Sequence, residues 1–136
     1  MPLVKICGEF YDIKTTIELD ISHRRLKHLP AELALLTNLV KLNCQYNMLK
    51  KLANLPPSIK ILICAGNRLD SISPSILPPK LEEFNCYHNY IEKLSVPDSV
   101  KILNCEANQL TDINIAYPDG LERLHCGYNR LKCFED

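Results

Sequence analysis

The 136-residue sequence has no tryptophan, only four glycines and no excess of charge, since 16 basic residues balance 16 acidic ones. A balanced charge argues against a general attraction to nucleic acid or to an anionic membrane surface. No apolar run approaches the roughly 18 residues that a membrane-spanning helix needs. The first residues, MPLVKICGEF, lack the charged head and long apolar body of a signal peptide. The sequence therefore predicts one domain, with neither nucleic acid nor membrane among its partners.

Seven cysteines would suggest a disulfide framework in a secreted chain, but three features oppose that interpretation. Their number is odd, no export signal is visible, and no N-x-S/T acceptor for glycosylation occurs. We therefore expect reduced thiols and a location in the cytoplasm or nucleus. Apolar residues make up 46% of the chain, which is enough for a packed core and argues against disorder.

An internal repeat decides the predicted fold. A stretch beginning L-x-x-L-x-C-x-x-N-x-L recurs, and the fourth residues of successive copies lie 19 to 23 residues apart. The copies, repeats 1 to 6, are TIELDISHRRLKHL (16–29), LVKLNCQYNMLKKL (39–52), IKILICAGNRLDSI (59–72), LEEFNCYHNYIEKL (81–94), VKILNCEANQLTDI (100–113) and LERLHCGYNRLKCF (121–134). Repeat 1 is a degenerate copy. We number the residues of every copy as positions 1 to 14.

The alternation within each copy predicts a short strand. Side chains at positions 4 and 6 point into the core, whereas positions 3 and 5 face the open side. One such strand cannot bury its apolar face, so about six strands should stack as a parallel sheet with a continuous core behind it. The predicted fold is a mostly-β α/β solenoid. Residues 1–15 are predicted to form an N-terminal cap, as a strand or hairpin over repeat 1, and residues 16–136 the repeat domain.

The return segments are predicted to be mainly non-helical, because most repeats are too short for a proper helix. The segments LPPSIK, LPPKLE, VPDSVK and YPDGLE are interpreted as extended or polyproline-type stretches with turns. In repeat 1, Pro30 precedes Leu33, Leu36 and Leu39, which recur on one side and predict one or two helical turns.

Position 9 is Asn and position 6 is Cys in the same five repeats. The Asn amides are predicted to satisfy buried backbone groups, with a polar ligand site as the alternative. The cysteines are predicted to be small buried hydrophobes, since repeat 1 has Ile21 there. Parallel side chains do not converge on a metal ion and pair awkwardly as disulfides, so we expect no metal or cofactor, with a metal or redox role as the alternative. Cys7 and Cys133 lie outside this column and are the better candidates for reactive thiols.

These motifs resemble those of leucine-rich repeat proteins over about residues 16 to 134. The L-x-x-L-x-C-x-x-N-x-L motif followed by LPP is similar to repeats of giant DNA viruses of amoebae, of bacterial secreted effectors and of their slime-mould counterparts. The resemblance implies protein–protein recognition on the concave sheet. Some bacterial effectors of this type carry a ubiquitin-ligase domain after the repeats, and no such domain is expected in a sequence that ends at Asp136.

Apolar residues at outward positions indicate a candidate binding surface. Ile61, Ile63 and Ile102 stand where a solvated sheet should be polar, with tyrosines nearby and asparagines around them. Aromatic anchors in polar surroundings are typical of a protein-binding patch, and tolerated surface hydrophobes are the alternative. Position 8 is expected to turn partly inward, which weakens Tyr46 and His88 as candidates. The candidate partner-binding residues are Asn43, Tyr46, Ile61, Ile63, Asn85, Tyr87, Ile102 and Asn104.

Catalysis is not expected. His88, His125, Glu83 and Glu106 share the open face, but no nucleophile–base–orienter set and no Gly-rich phosphate loop occurs. Nucleic-acid binding is not expected either, because the basic residues do not gather on one face of the predicted solenoid.

Two hypotheses of function remain. The first is a non-enzymatic module that binds a protein on its concave face, a host factor if the chain is virus-encoded. The second is a structural or assembly protein, for example a viral one, that self-associates. Few residues follow the last predicted strand, so a homodimer through the C-terminal repeat is expected.

Overall fold

The computed structural model describes residues 2–115 and 118–132, and Met1, 116–117 and 133–136 lie outside the described residues. The chain forms a mostly-β solenoid with a six-stranded parallel sheet, which confirms the predicted fold class. In chain order the strands are β1 (Leu3–Ile6), β2 (Glu9–Asp12), β3 (Glu18–Asp20), β4 (Lys41–Asn43), β5 (Ile61–Ile63), β6 (Glu83–Asn85), β7 (Lys93–Val96), β8 (Ile102–Asn104), β9 (Asp112–Ile115) and β10 (Arg123–His125).

The large sheet contains one strand from each repeat. Its order is β10-β8-β6-β5-β4-β3, and every neighbouring pair is parallel. The register aligns position 4 of every repeat in a single row: Leu19, Leu42, Leu62, Phe84, Leu103 and Leu124. The same register aligns the residues at position 5 of all six repeats, so their outward side chains form a second row across the sheet.

The core lies behind this sheet. The first five residues of the position 4 row are at most 4% exposed, whereas Leu124 in the last strand is 40% exposed. Ile21, Cys44, Cys64, Cys86 and Cys105 at position 6 have no exposed surface, as the apolar interpretation of this position predicts. Apolar burial of these two positions supplies the main driving force that holds successive repeats together.

A hairpin covers the N-terminal end of the solenoid. β1 and β2 pair antiparallel, and Val4 and Ile6 on β1 are buried in the core. Arg24 occupies position 9 of repeat 1, where the other repeats have Asn, and its Nη1 donates a hydrogen bond to the carbonyl oxygen of Cys7 at 3.1 Å. At this position the first repeat is therefore hydrogen-bonded to the hairpin, whereas the later repeats are hydrogen-bonded to the repeat before them.

The return side is mostly non-helical, and proline marks each turn. In five return segments a backbone N–H donates to the carbonyl oxygen of a proline three residues earlier: Leu33 to Pro30, Ile59 to Pro56, Leu81 to Pro78, Val100 to Pro97 and Leu121 to Pro118. A 3-10 helix at Ala31–Leu35 follows Pro30, and Leu33, Leu36 and Leu39 are fully buried. The extended interpretation was incomplete, because Pro118–Gly120 forms a second 3-10 helix and β7 pairs in parallel with β9.

The buried asparagines join each repeat to the one before it. Asn89 is representative, because its Nδ2 donates to the carbonyl oxygens of Cys64 and Cys86 at 3.2 and 3.0 Å, and its Oδ1 accepts the N–H of Leu69 at 3.0 Å. The same three kinds of bond recur at Asn47, Asn67, Asn108 and Asn129. An amide here thus satisfies backbone groups that an apolar side chain would leave unpaired.

Candidate functional site

The concave face carries a shallow depression of about 250 Å³ at its centre, where apolar side chains and the polar Glu83, Asn85, Asn104 and His125 form the lining. Position 3 contributes Ile61 on β5 and Ile102 on β8, and position 5 contributes Ile63. The short strands place these side chains outward because the alternate residues, Leu62 and Leu103, are fixed in the core. All three isoleucines are half-buried, so they present apolar surface to the open side.

Asn85 and Asn104 border the depression, and these two residues and Asn43 are held in fixed orientations. The Oδ1 atoms of Asn43, Asn85 and Asn104 accept backbone N–H groups two residues further along the chain, at 3.0 to 3.1 Å. These bonds are local Asx turns, which suit the end of a short strand. The Nδ2 groups of the same residues have no hydrogen-bond partner among the described residues. The row therefore offers amide donors toward the open side.

The structure separates the eight candidate residues into two groups. Five line the central depression: Ile61, Ile63, Asn85, Ile102 and Asn104. Asn43 lines a neighbouring depression with Glu18, Asp20 and Lys41 instead. Tyr46 and Tyr87 line neither of these two depressions.

Position 8 is exposed in four of the six repeats and half-buried at Gly66 and Ala107, so the expected partial turn inward does not apply to the large side chains. Tyr46 is 47% exposed and Tyr128 is 86% exposed, and His88 is exposed as well. The reason is a left-handed backbone at this position in every repeat, with φ of 53 to 58° at His23, Tyr46, His88, Ala107 and Tyr128, and 64° at Gly66. This conformation turns the chain so that the next residue, Asn in repeats 2 to 6, enters the core.

Tyr46 is packed between neighbouring repeats at position 8. Its ring stacks on His23 with centroids 5.0 Å apart and planes at 19°. On the other side it lies so close to Gly66 that a Cβ atom there would clash with the ring. Gly66 is therefore required by the approach of Tyr46, since Ala107 adopts almost the same φ without being a glycine.

We expect Gly66→Ala to lower the free energy of unfolding by about 2 kcal/mol, because it adds both a left-handed alanine and a ring clash. In a Tyr46→Ala background the same change should cost only about 1 kcal/mol, since the clash is removed. Urea unfolding of the wild type, both single variants and the double variant measures this difference. Equal costs in the two backgrounds would contradict the packing described for Tyr46.

One acid–base pair lies beside the depression. His125 Nδ1 is 3.7 Å from Glu106 Oε1, and His125 also lines the depression. The described residues hold no group of three His, Cys, Asp or Glu side chains that could bind a metal ion. In the same residues, no helix has the length and apolar character needed to cross a membrane.

A basic groove was missed by the sequence interpretation, which expected no gathering of basic residues on one face. Six side chains of repeats 1 to 3 line an open groove of about 430 Å³: Lys27, His28, Met48, Lys50, Lys51 and Arg68. We call these residues the basic groove. The signal in the sequence is Lys at position 12 in both repeat 1 and repeat 2, followed at position 13 by His28 and Lys51.

The in-register parallel strands, the buried asparagines and the repeat spacing define a solenoid of the leucine-rich repeat type. No family model matches the chain. The sequence is similar to osteomodulin from Bos taurus, a leucine-rich repeat protein, with 28% identity over 92 residues. The match covers 64% of this chain and 22% of osteomodulin, so the chain corresponds to a small part of that relative's length.

Proposed function

We propose that the protein is a non-enzymatic recognition module that binds a protein partner at the central depression of the concave face. The observation that carries the proposal is the group of three half-buried isoleucines on β5 and β8, the two strands that flank β6. Asn85 and Asn104 border this group, and their Nδ2 groups have no hydrogen-bond partner among the described residues. Apolar contact surrounded by hydrogen-bonding groups is the composition of a protein interface core and its rim. The similarity to a leucine-rich repeat protein supports the same class of function.

The partner and its compartment follow as further parts of this proposal. Cys44, Cys64, Cys86 and Cys105 are free and buried, which suits a reducing compartment such as the cytoplasm or nucleus. If the chain is virus-encoded, as the resemblance of its repeat motif to viral repeats suggests, the partner is a host protein.

The experiment compares capture of partners by the wild type and by an Ile63→Lys, Ile102→Lys variant. Two lysines in the depression should reduce the recovery of a specific partner by about tenfold or more, because burying their charges opposes binding. Ile76→Lys is the control for a lysine placed away from the depression, since Ile76 is 39% exposed and lies on the return side. Circular dichroism must show that all variants are folded.

Quantitative mass spectrometry of the captured proteins provides the readout. A partner lost with the concave variant and retained with the Ile76→Lys control supports the proposal. Recovery of the same proteins by wild type and concave variant contradicts it.

We propose self-association through β10 as the second candidate. The specific observation is that Leu124 is 40% exposed, while its equivalents in repeats 1 to 5 are buried. Leu121, Cys126 and Leu131 are likewise only partly buried against the core. A second copy that covers this strand would form a symmetric dimer. Light scattering across micromolar concentrations tests this, and a strict monomer contradicts it.

A further inference from the structure

The basic groove lies where the chain leaves the concave sheet for the return side. Lys27 and Lys50 hold position 12 of repeats 1 and 2, directly followed by His28 and Lys51. Met48 and Arg68 hold position 10 of repeats 2 and 3. All five basic side chains are exposed, and Met48 is half-buried. The repeat geometry thus brings together side chains that are up to 41 positions apart in sequence.

The basic side chains of this groove form no ion pair within the described residues, and the acidic residue next to them in the stack is Asp70, one repeat from Lys50. In the described ranges, the ion pairs join Lys60 and Lys101 to Glu82, and His125 to Glu106. None of them involves the basic groove, which therefore holds four permanent cations within one depression. On a chain with no net charge, such a cluster produces a local positive potential that attracts anionic groups.

The positive region is short. Position 12 changes from Lys in repeats 1 and 2 to Asp70 in repeat 3 and Glu92 in repeat 4. Three stacked repeats at about 4.8 Å per step extend over about 10 Å. Proteins that bind a nucleic-acid backbone commonly engage about 6–10 phosphates, which need a longer basic surface. An extended peptide advances about 3.4 Å per residue, so about three residues match this length.

We propose that the basic groove binds an extended acidic segment of a protein partner, with about three consecutive Asp or Glu residues in contact. The lysine and arginine groups pair with the carboxylates. Met48 and the methylene stems of the lysines contact the peptide backbone and side-chain carbons. This site is separate from the central depression and does not depend on the function proposed for it.

Fluorescence anisotropy of a labelled peptide containing a short run of glutamates tests the proposal. The wild-type chain should bind it at low salt and more weakly at high salt, while a glutamine peptide of equal length should not bind. Lys50→Glu with Lys51→Glu should weaken binding by about tenfold or more. The matched control is Lys14→Glu with Lys80→Glu, which changes the net charge equally at exposed lysines outside the groove and should alter binding less than about twofold.

Four results would overturn the proposal. Equal weakening by the groove and control variants would show that net charge alone attracts the peptide. If the glutamine peptide binds with the same affinity, the carboxylates of the glutamate peptide do not contribute to binding. A short single-stranded oligonucleotide that binds more tightly, and loses affinity in the groove variant, would assign the site to nucleic acid. If tripolyphosphate displaces the labelled peptide at a lower concentration than unlabelled peptide does, the groove is a site for a phosphate ligand.

Ile63→Lys separates this site from the central depression. The variant should bind the glutamate peptide as the wild type does, because Ile63 lies outside the basic groove. Loss of peptide binding in Ile63→Lys would place the peptide on the concave face and contradict the groove.

Discussion

The free energy of unfolding should fall steeply as pH rises above 9, because the folded chain retains thiol protons that the unfolded chain releases. Burial raises the pKa of Cys44 and Cys105 to about 12, from an ordinary value of 9.0. Burial also raises the pKa of Cys64 and Cys86 well above that value. Between pH 9 and the folded pKa, the native state holds more protons than the unfolded state, so each thiol lowers stability by about 1.4 kcal/mol per pH unit.

Urea unfolding under reducing conditions at pH 8, 9, 10 and 11 should show this loss. The control is the Cys44→Ala, Cys105→Ala variant, which starts with lower stability because it leaves small cavities in the core. Its stability should nevertheless decrease more slowly with pH, with a difference that approaches about 3 kcal/mol per pH unit well above pH 9, since two of the titrating thiols are absent. Parallel pH curves for the wild type and the variant would contradict the burial of these thiols.

Leu103→Ala should destabilise the protein far more than Leu124→Ala, although both change the same residue at position 4 of adjacent repeats. Leu103 has no exposed surface, so the truncation removes buried methyl groups and leaves a cavity, at about 3 kcal/mol. Leu124 is 40% exposed and should cost about 1 kcal/mol. Urea denaturation at low protein concentration measures both values.

The comparison also tests the exposed end of the sheet. If Leu124→Ala costs as much as Leu103→Ala, another surface covers Leu124 in solution, and the cost should increase with protein concentration when that surface is a second copy. A small cost that does not change with concentration agrees with an exposed β10 and contradicts the dimer.

The repeat spacing predicted the sheet well because strand, register and burial depend on local sequence patterns. Alternation at positions 4 and 6 places Leu62 and Cys64 inside and Ile63 outside, whatever the exact repeat length. The same reasoning failed at position 8, where His23, Tyr46 and Ala107 carry no residue-type signal for a left-handed backbone. Only Gly66 has the residue that normally marks this conformation.

The candidate site was predicted in part for the same reason. Ile61, Ile63 and Ile102 are outward by strand alternation alone, and the in-register stack then brings them into one depression. The tyrosines lie on the loops after the strands, where side-chain direction depends on the turn and on the neighbouring repeat. Tyr46 is directed by contact with His23 and Gly66, and neither contact is visible from its own repeat.

The sequence by itself determined the solenoid, the identity of the buried positions and the outward isoleucines, because each follows from periodicity within a single copy. The tertiary structure alone decided the pairing of β7 with β9, the left-handed turn before each buried asparagine and the assembly of the basic groove. These features depend on how closely residues of different repeats approach one another. That distance is set by the return segments and by packing across the stack, so a local pattern cannot encode it.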